Sequence, residues 1–350
     1  MMLNELLETT LRKKASDLHL VTGIPPVSRI NGNLIRMDEI KLTPQDTEMF
    51  AHQMLGDDFS RFDDKGEMDL SYSLSGLGRF RVNVYKQRST IAMAIRVVGA
   101  TMPEIDELGL PEVARELALA KRGLVLVTGP AGSGKSTTMA AMINEINKNK
   151  SSHIITLEDP IEFLHKHDKS IVEQREIGKD TKSFRNALRA VLREDPDVIL
   201  IGELRDLDTI SVALTAAETG HLVLSTLHTI GVAKTIDRLV DVFPPHQQQQ
   251  IKIQLSAVLN GIISQQLVPT VDGKSRVCAA ETMISTTAIQ NMIREGKTYQ
   301  IESALQTGSK YGMKTMDMSL VELYKKKLIS YEDALSHALD KENLIRLLSL

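Results

Sequence analysis

The chain has 350 residues, of which 42% are hydrophobic and 25% are charged, and its formal net charge is -3. This composition is typical of a folded globular protein with two or three domains, and it lacks the basic excess that non-specific nucleic-acid binding requires. The single cysteine, Cys278, cannot form an internal disulfide and lies in an apolar run, so we expect a buried thiol and a reducing compartment.

The first hundred residues predict a small antiparallel sheet. Strand-like alternation occurs in VSRINGNLIRM, with a turn at Asn31-Gly32, and again in MDLSYSL, RFRVNVYKQR and TIAMAIRVV. A helix is predicted over 44–55. We therefore predict an α+β domain over 1–98 and a linker over 99–111.

The part from residue 112 onward reads as α/β with a parallel sheet. In RGLVLVTGPAGSGKSTTMAAMINEI an apolar strand, a glycine-rich loop and a helix follow one another, as a phosphate-binding loop demands. Its glycines let backbone N–H groups turn toward phosphate oxygens, Lys135 would reach the β and γ phosphates, and Ser136 would hold Mg²⁺. The residues predicted to contact nucleotide are Gly129, Ala131, Gly132, Ser133, Gly134, Lys135, Ser136 and Thr137.

Polar side chains follow each of the next three predicted strands. SHIITLEDPIEF ends in acidic residues, DVILIGELRD ends in Glu203, Arg205 and Asp206, and HLVLSTLHT ends in His228. Because parallel strands present their carboxyl ends at one edge of the sheet, we expect these groups to meet beside the phosphate loop.

Glu203 and Glu162 are the candidate catalytic carboxylates. The strand before Glu203 is expected to lie beside the phosphate-loop strand, which favours a magnesium-linked role, with an ion pair to Arg205 as the alternative. Without bound magnesium, Glu203 should pair with Arg205, Lys135 or Ser136. Glu162 follows Pro160 and could activate the attacking water, but the two glutamates could exchange these roles.

The histidines divide into separate groups. His221 and His228 lie at the two ends of one predicted strand, about 20 Å apart, so they cannot share a metal ion. We expect His228, at the carboxyl end, to sense the γ-phosphate. His221 is a structural or interface residue, and His165 and His167 are expected to be exposed loop residues.

The C-terminal third predicts further helices around one hairpin. Helical periodicity starts at the run of glutamines, 247–250, and continues through IKIQLSAVLNGIISQQL. A hairpin is predicted around Asp272-Gly273, followed by helices near 286–296, 317–327 and 331–349. These helices could pack on the core or contact a partner, and the pattern does not separate the two.

The order and spacing of these motifs resemble those of a known family. The phosphate loop GPAGSGKST, the acidic segment ITLEDPIEF, the Walker B segment DPDVILIGELRD and the segment HLVLSTLHTIGVAKTIDRL occur in the order of the secretion ATPase superfamily. Within it, the chain closely resembles the PilT-type retraction ATPases of type IV pili, and the similarity covers essentially the whole sequence.

The resemblance implies a PAS-like domain over 1–98, a RecA-like P-loop ATPase domain over 112–350, and a homohexamer that binds ATP or ADP with Mg²⁺ between the two domains. It also implies that arginines of the N-terminal domain close on the phosphates. The matching positions are Arg81 and Arg96, which the alternation alone would describe only as outward-facing residues.

Comparison with relatives favours retraction over assembly. Pilus-assembly and type II secretion ATPases usually carry an extra N-terminal domain and often a four-cysteine zinc module, for which this chain lacks the cysteines. AIQNMIRE resembles the AIRNLIRE signature associated with retraction. It departs from it at Gln290, where any ionic contact of the usual arginine is in doubt, and at Met292.

The sequence thus predicts a cytoplasmic motor, peripheral at the inner-membrane pilus machine. No apolar stretch reaches the roughly 18 residues of a membrane span, so no stable insertion is expected. The implied partners are an inner-membrane platform protein and, as functional antagonist, the extension ATPase. Alternatives left open are an extension or type II secretion ATPase, a RecA-like nucleic-acid motor and a non-catalytic scaffold. The low aromatic content disfavours the nucleic-acid motor.

Overall fold

The computed structural model describes residues 2–30, 32–74, 78–99 and 102–349, which form two compact units. The first unit comprises Met1–Thr101 together with the short segment Glu162–Leu164. The second comprises Met102–Ile161 and His165–Leu350. The predicted linker, 99–111, therefore falls partly in each unit, and its residues Ala100 and Thr101 lie outside the described residues.

Within the described residues, the first unit is a six-stranded antiparallel sheet with helices on one face, in the order β3-β2-β1-β6-β5-β4. Its elements are α1 (Leu3–Arg12), β1 (Asp17–Val21), β2 (Val27–Ile30), β3 (Asn33–Arg36), α2 (Pro44–Leu55), α3 (Phe59–Lys65), β4 (Glu67–Leu74), β5 (Gly78–Gln87) and β6 (Thr90–Val98). The strands β2 and β3 form the predicted hairpin. Asn31, in the predicted turn, lies outside the described residues.

Local sequence explains these elements. Thr43 caps α2 by accepting a 3.2 Å hydrogen bond from the amide of Asp46, whose carboxylate accepts one of 2.8 Å from the amide of Thr43. On β5, Phe80 and Val82 are buried against the helices while Arg81, between them, is exposed. Strand alternation therefore leaves Arg81 on the sheet face opposite the helices.

The second unit contains a seven-stranded sheet in the order β13-β12-β7-β11-β10-β8-β9, parallel except for β13. Its elements up to the sixth strand are α4 (Val113–Ala118), β7 (Gly123–Thr128), α5 (Lys135–Asn149), β8 (His153–Glu158), β9 (Ile171–Glu176), α6 (Phe184–Val191), β10 (Val198–Ile201), α7 (Leu207–Glu218), β11 (Leu222–Leu227), α8 (Val232–Asp241), α9 (Pro245–Val258) and β12 (Leu259–Pro269). They are followed by β13 (Arg276–Ile284), α10 (Thr287–Glu295), α11 (Ile301–Thr307), α12 (Met316–Lys325), α13 (Tyr331–His337) and α14 (Lys341–Leu348).

The inner strands are buried on both faces. Every residue of β7, β10 and β11 is buried, as continuous apolar runs in a parallel sheet predict. One hydrophobic cluster packs α5 on one face, and another packs α6 to α10 on the opposite face. In the described part of the chain, no helix is long and apolar enough to cross a bilayer.

The predicted strand order at the centre of this sheet is wrong. Strand β10, which precedes Glu203, does not pair with the phosphate-loop strand β7, because β11 lies between them and pairs with both. Fully buried parallel strands all read as uniform apolar runs, so their sequences carry no signal for lateral order.

Other elements also differ from the predictions. The helical periodicity predicted through IKIQLSAVLNGIISQQL ends at Val258, and β12 begins at Leu259, where the chain pairs with β7. Strand β9 was not predicted. The helix predicted over 331–349 is two helices, because the buried Asp317 carboxylate accepts the amides of Leu339 and Asp340 at the break.

Candidate active site

The phosphate loop is shaped by close packing against β12. Gly129 has φ 141°, and a Cβ there would lie 2.2 Å from the carbonyl oxygen of Gln265 and 2.6 Å from Ser133 Oγ. Gly132 and Gly134 have φ values of 75° and 90°, in the left-handed region that glycine adopts without strain. The loop can therefore turn back sharply into α5 only with glycine at these positions.

Lys135 is buried at the start of α5. Its Nζ donates hydrogen bonds of 2.9 Å to the carbonyl oxygens of both Gly129 and Pro130, which holds the ammonium group inside the loop. Ser136 follows in the same first turn and is exposed. The N-terminus of α5 adds partial positive charge beside the ammonium, so the loop is suited to bind an anion.

Glu203 extends from the carboxyl end of β10 and has a side chain only 13% exposed. It forms an ion pair with Arg205, one of the three partners predicted for it, and this hydrogen bond raises the pKa of the Arg205 guanidinium. Its other carboxylate oxygen lies 3.5 Å from His228 Nε2. The carboxylate is thus compensated by neighbouring donors rather than buried alone.

His228 lies between Lys135 and Glu203. Its Nδ1 is 3.5 Å from Lys135 Nζ, and its Nε2 faces Glu203. Because an ammonium group can only donate, the tautomer with its proton on Nε2 is the one in which the ring would accept from Lys135 and donate to Glu203. The side chains that the sequence assigned to phosphate binding, γ-phosphate sensing and magnesium binding are therefore linked by contacts in the order Lys135, His228, Glu203.

Hydrogen bonds join β10 and β11 at the edge of the sheet where Glu203 and His228 lie. Thr226 Oγ1 donates a 2.6 Å hydrogen bond to the carbonyl oxygen of Gly202, and the amide of Leu204 donates one of 3.1 Å to the carbonyl oxygen of Thr226. These bonds flank Glu203 directly. The position of β11 therefore places His228 between Lys135 and Glu203, which explains why the site forms despite the different strand order.

The donor set fits a magnesium ion shared with a nucleotide. No group of three or more His, Cys, Asp or Glu side chains able to hold a metal occurs within 2–30, 32–74, 78–99 and 102–349. Magnesium in phosphate-loop proteins needs few protein ligands, since substrate phosphates and water supply the rest. The hydroxyls of Thr128 and Ser133 are buried without a hydrogen-bond partner among the described residues, in and beside the loop. The residues present fit Mg²⁺ and phosphates, and Ser136 and Glu203 are the side chains that would hold the ion.

The first unit brings Arg81 and Arg96 together. They are directly opposed in the register of β5 and β6, and both are exposed on the same sheet face. Asp17 on β1 is the register partner of Arg96 on its other side and accepts a 3.0 Å hydrogen bond from Arg96 Nε. Although burial opposes ionisation, the hydrogen bonds from Ser16 and Arg96 hold the pKa of Asp17 below its usual value. Asp17 was missed in the sequence, where it resembled any exposed strand residue.

Glu162 is exposed and belongs to the first unit, where the neighbouring Phe163 forms a parallel bridge with Gly99. The residues just outside this segment are held by β9. The amide of Ile161 donates to Glu176 at 3.1 Å, and the amide of His165 donates to Gln174 at 2.8 Å. Ile161 and His165 are thus each held by a side chain of β9, and the role of Glu162 in water activation stays a prediction.

The remaining candidates have structural surroundings. His221 Nδ1 lies 2.9 Å from the carbonyl oxygen of Ala216, which closes the end of α7. Cys278 is buried as expected, and its burial raises the pKa of the thiol to about 12. The prediction that His165 is exposed is wrong. The ring is largely buried by its loop, and desolvation lowers its pKa to about 4, whereas His167 is exposed.

Gln265 is the main residue of the site that sequence reasoning missed. Its side-chain amide donates to Ser133 and accepts from Thr138, so it contacts both the loop and α5. A glutamine in a run read as helical gave no signal of this contact. A polar residue on a buried strand beside the loop would have been the signal, had β12 been recognised as a strand.

Comparison with known proteins adds independent support. The family model of type II/IV secretion system proteins matches residues 1–343. The type IV pilus retractation ATPase PilT of Pseudomonas aeruginosa is 47% identical over 342 residues, which cover 97% of this chain and 99% of that protein. A twitching motility protein of Neisseria gonorrhoeae is 44% identical over 340 residues, covering 97% of this chain and 91% of that protein.

A solved structure agrees at the level of the whole fold. The crystal structure of the pilus retraction motor PilT with bound ADP matches with a TM-score of 0.91 and 49% sequence identity, and covers 99% of both chains. This confirms the predicted fold class. The chain belongs to the type II/IV secretion system protein family and, within it, to the PilT-type retraction ATPases.

Proposed function

We propose that this chain is an ATP-hydrolysing motor that works as a homohexamer and powers type IV pilus retraction. The observation that carries the proposal is the pair of contacts that links Lys135 to His228 and His228 to Glu203 beside a phosphate loop. A ligand with both phosphate and magnesium would contact all three side chains. The names of the similar proteins, a pilus retraction ATPase and a twitching motility protein, support the mechanical role.

In this proposal the loop residues 129–137 bind the phosphates of ATP or ADP. Lys135 would exchange its two carbonyl partners for phosphate oxygens, while Ser136 and Glu203 would hold magnesium, directly or through water. The ion would supply positive charge that stabilises the phosphates as negative charge develops on them. His228, which already contacts both Lys135 and Glu203, would respond to the presence of the γ-phosphate.

The residues of the first unit would complete the reaction. Glu162 is proposed to orient and deprotonate the attacking water, with Glu203 as the alternative base. Arg81 and Arg96 would supply positive charge to the transferring phosphoryl group, as an arginine finger does. Their pairing in one register position supports a shared role, because both guanidinium groups lie on one exposed face.

The direction of work rests on resemblance. Retraction, rather than extension or secretion, is favoured by the extent of the similarity to PilT and by the AIQNMIRE segment, which forms α10. The proposed setting is the cytoplasmic face of the inner membrane, where the motor would act on a platform protein and oppose the extension ATPase. No role for nucleic acid is proposed.

Hydrolysis by the purified full chain tests the enzymatic half of this proposal. The wild-type protein should release phosphate from Mg-ATP, and Lys135→Ala should abolish both release and tight nucleotide binding. Lys182→Ala, which removes an exposed lysine before α6, is the matched control and should hydrolyse ATP at the wild-type rate. Equal hydrolysis by the Lys135 variant would refute the assignment of the loop.

A further inference from the structure

The loop after His228 is hydrogen-bonded to β12 and β13, the last two strands at one edge of the sheet. After His228, the amide of Gly231 donates a 2.9 Å hydrogen bond to Ser264 Oγ on β12. The next amide, of Val232, donates one of 2.7 Å to Glu281 Oε1 on β13. These contacts lie in the buried interior and fix the turn where β11 passes into α8.

Ser264 and Glu281 occupy one row of the sheet. They are register partners in the pairing of β12 with β13, and Ser264 is also the register partner of Thr128, the last residue of β7. Thr128 immediately precedes the phosphate loop. Thr128, at the start of the phosphate loop, therefore lies in one row with Ser264 and Glu281, the two residues that bond to the loop after His228.

Glu281 also holds a second helix. Its other oxygen, Oε2, accepts a 3.2 Å hydrogen bond from the amide of Met316, the first residue of α12. The residue is only 5% exposed, and burial raises the pKa of its carboxyl group while the two amide donors lower it. One buried carboxylate thus accepts from the first residues of α8 and α12, where the helix dipoles favour negative charge.

The connection continues through α12. Asp317, the next residue, accepts hydrogen bonds from the amides of Leu339 at 2.9 Å and Asp340 at 3.2 Å, between α13 and α14. A shift of the first turn of α12 would therefore reach the C-terminal helices through buried polar contacts rather than exposed side chains.

We propose that Glu281 is a positioning residue that couples the His228 loop to helix α12, so that the nucleotide state of the site changes the C-terminal helices. The inference rests on the proposed function, in which His228 responds to phosphate. A carboxylate offers an acceptor to each of the two amides. Glutamine has a single acceptor oxygen, so it could accept from only one of the two amides. Its NH₂ group would face the other N–H, and two donors form no hydrogen bond.

Three variants of the full chain separate coupling from simple stability. Glu281→Gln weakens the link between the two helices with little change of shape. Ser264→Ala removes only the partner of Gly231 and leaves the contact of Glu281 with α12. Ser330→Ala removes the 3.0 Å cap of α13 and serves as the control for the loss of an ordinary helix cap.

The test combines steady-state ATP hydrolysis with hydrogen exchange in the absence and presence of Mg-ADP. Glu281→Gln should lower kcat at least about tenfold with KM for ATP changed less than about threefold, since an unsatisfied buried amide displaces the His228 loop. In wild type, Mg-ADP should slow amide exchange both in the His228 loop and at the start of α12. In Glu281→Gln the response at α12 should disappear, while Ser264→Ala should retain it and Ser330→Ala should behave as wild type.

The outcomes are distinct. A wild-type kcat in Glu281→Gln, or an undiminished Mg-ADP response at α12, would overturn the coupling role. If Glu281→Gln does not fold, the wild-type chain decides: a Mg-ADP response both in the loop after His228 and at the start of α12 supports the proposal, and a response in that loop without one at α12 contradicts it. Failure of the wild-type chain to hydrolyse ATP would instead count against the proposed function, which keeps the two failures apart.

Discussion

The side-chain amide of Gln265 donates a 2.6 Å hydrogen bond to the main-chain carbonyl of Ser133 in the phosphate loop. Its oxygen accepts a 3.0 Å hydrogen bond from Thr138 Oγ1 in α5, and the side chain is buried. The main-chain carbonyl of the same residue closes over Gly129. One residue of β12 thus fixes the loop and the helix that follows it.

We expect Gln265→Ala to weaken nucleotide binding. The change leaves the buried Ser133 carbonyl and Thr138 hydroxyl without their partner. Leaving such groups unsatisfied in the shape of the loop that binds phosphate costs about 1–3 kcal/mol of binding free energy. Calorimetric titration with Mg-ADP should show a Kd raised roughly fivefold to 150-fold. Gln266→Ala is the matched control, because the adjacent glutamine bonds instead to the carbonyl of His337 and should leave Kd unchanged. Equal affinities of wild type and Gln265→Ala would contradict this role.

Glu203→Ala and Glu162→Ala should each abolish turnover while Mg-ADP still binds. One variant removes the proposed magnesium partner and the other the proposed base, and each loss should lower kcat at least about 100-fold. Phosphate release and nucleotide titration measure the two properties separately. Glu332→Ala, at an exposed position in α13, is the control. Near-normal hydrolysis by either glutamate variant would remove that residue from the mechanism.

Arg81→Ala and Arg96→Ala should lower kcat more than they weaken ADP binding. Arginines that act on the transition state contribute to kcat, so a loss of at least about tenfold is expected for each. The double variant should lose less than the product of the single effects, because the residues are opposed in register and share one task. Arg61→Ala, on the helix face of the first unit, provides the control. Unchanged kcat in both single variants would limit these arginines to a structural role.

His165 should make the protein sensitive to acid. Its folded-state pKa of about 4 lies below the ordinary value of 6.5, so the unfolded chain binds more protons as pH falls through this window. Stability should therefore fall by about 2 kcal/mol from this group between about pH 7.5 and about pH 5. Urea unfolding at both pH values should show a smaller pH effect in His165→Phe than in wild type. His246→Phe, at an exposed position, should keep the wild-type difference, and an unchanged pH effect in His165→Phe would refute the assignment.

The site could be predicted as far as its chemistry is local. The phosphate loop and the polar ends of β10 and β11 have short signatures, so Lys135, Glu203 and His228 were singled out, and the structure brings them together. Five of the six N-terminal strands, β2 to β6, alternate clearly and were also predicted, whereas β1 was not. The helix predicted over 44–55 is also present, and Thr43 caps it.

The remaining features depend on contacts distant in sequence. The order of β10 and β11 is set by lateral packing that uniform apolar runs do not encode. Gln265 contacts the phosphate loop, which lies more than a hundred residues earlier in the sequence, and Glu281 contacts the loop after His228, about fifty residues earlier. The roles of both residues can be inferred only when the positions of β12 and β13 in the sheet are known. The break before α14 similarly depends on Asp317, because a carboxylate on another helix captures two amides there.

Pilus retraction in a strain that lacks its own retraction ATPase tests the central claim most directly. The force that single pili exert on a trapped bead would be recorded after expression of wild type or Lys135→Ala, with hexamers and ATP hydrolysis verified for the wild-type chain. The account predicts pulling events with wild type and none with the Lys135 variant. A wild-type hexamer that hydrolyses ATP but produces no pulling, or pulling that persists with Lys135→Ala, would contradict it.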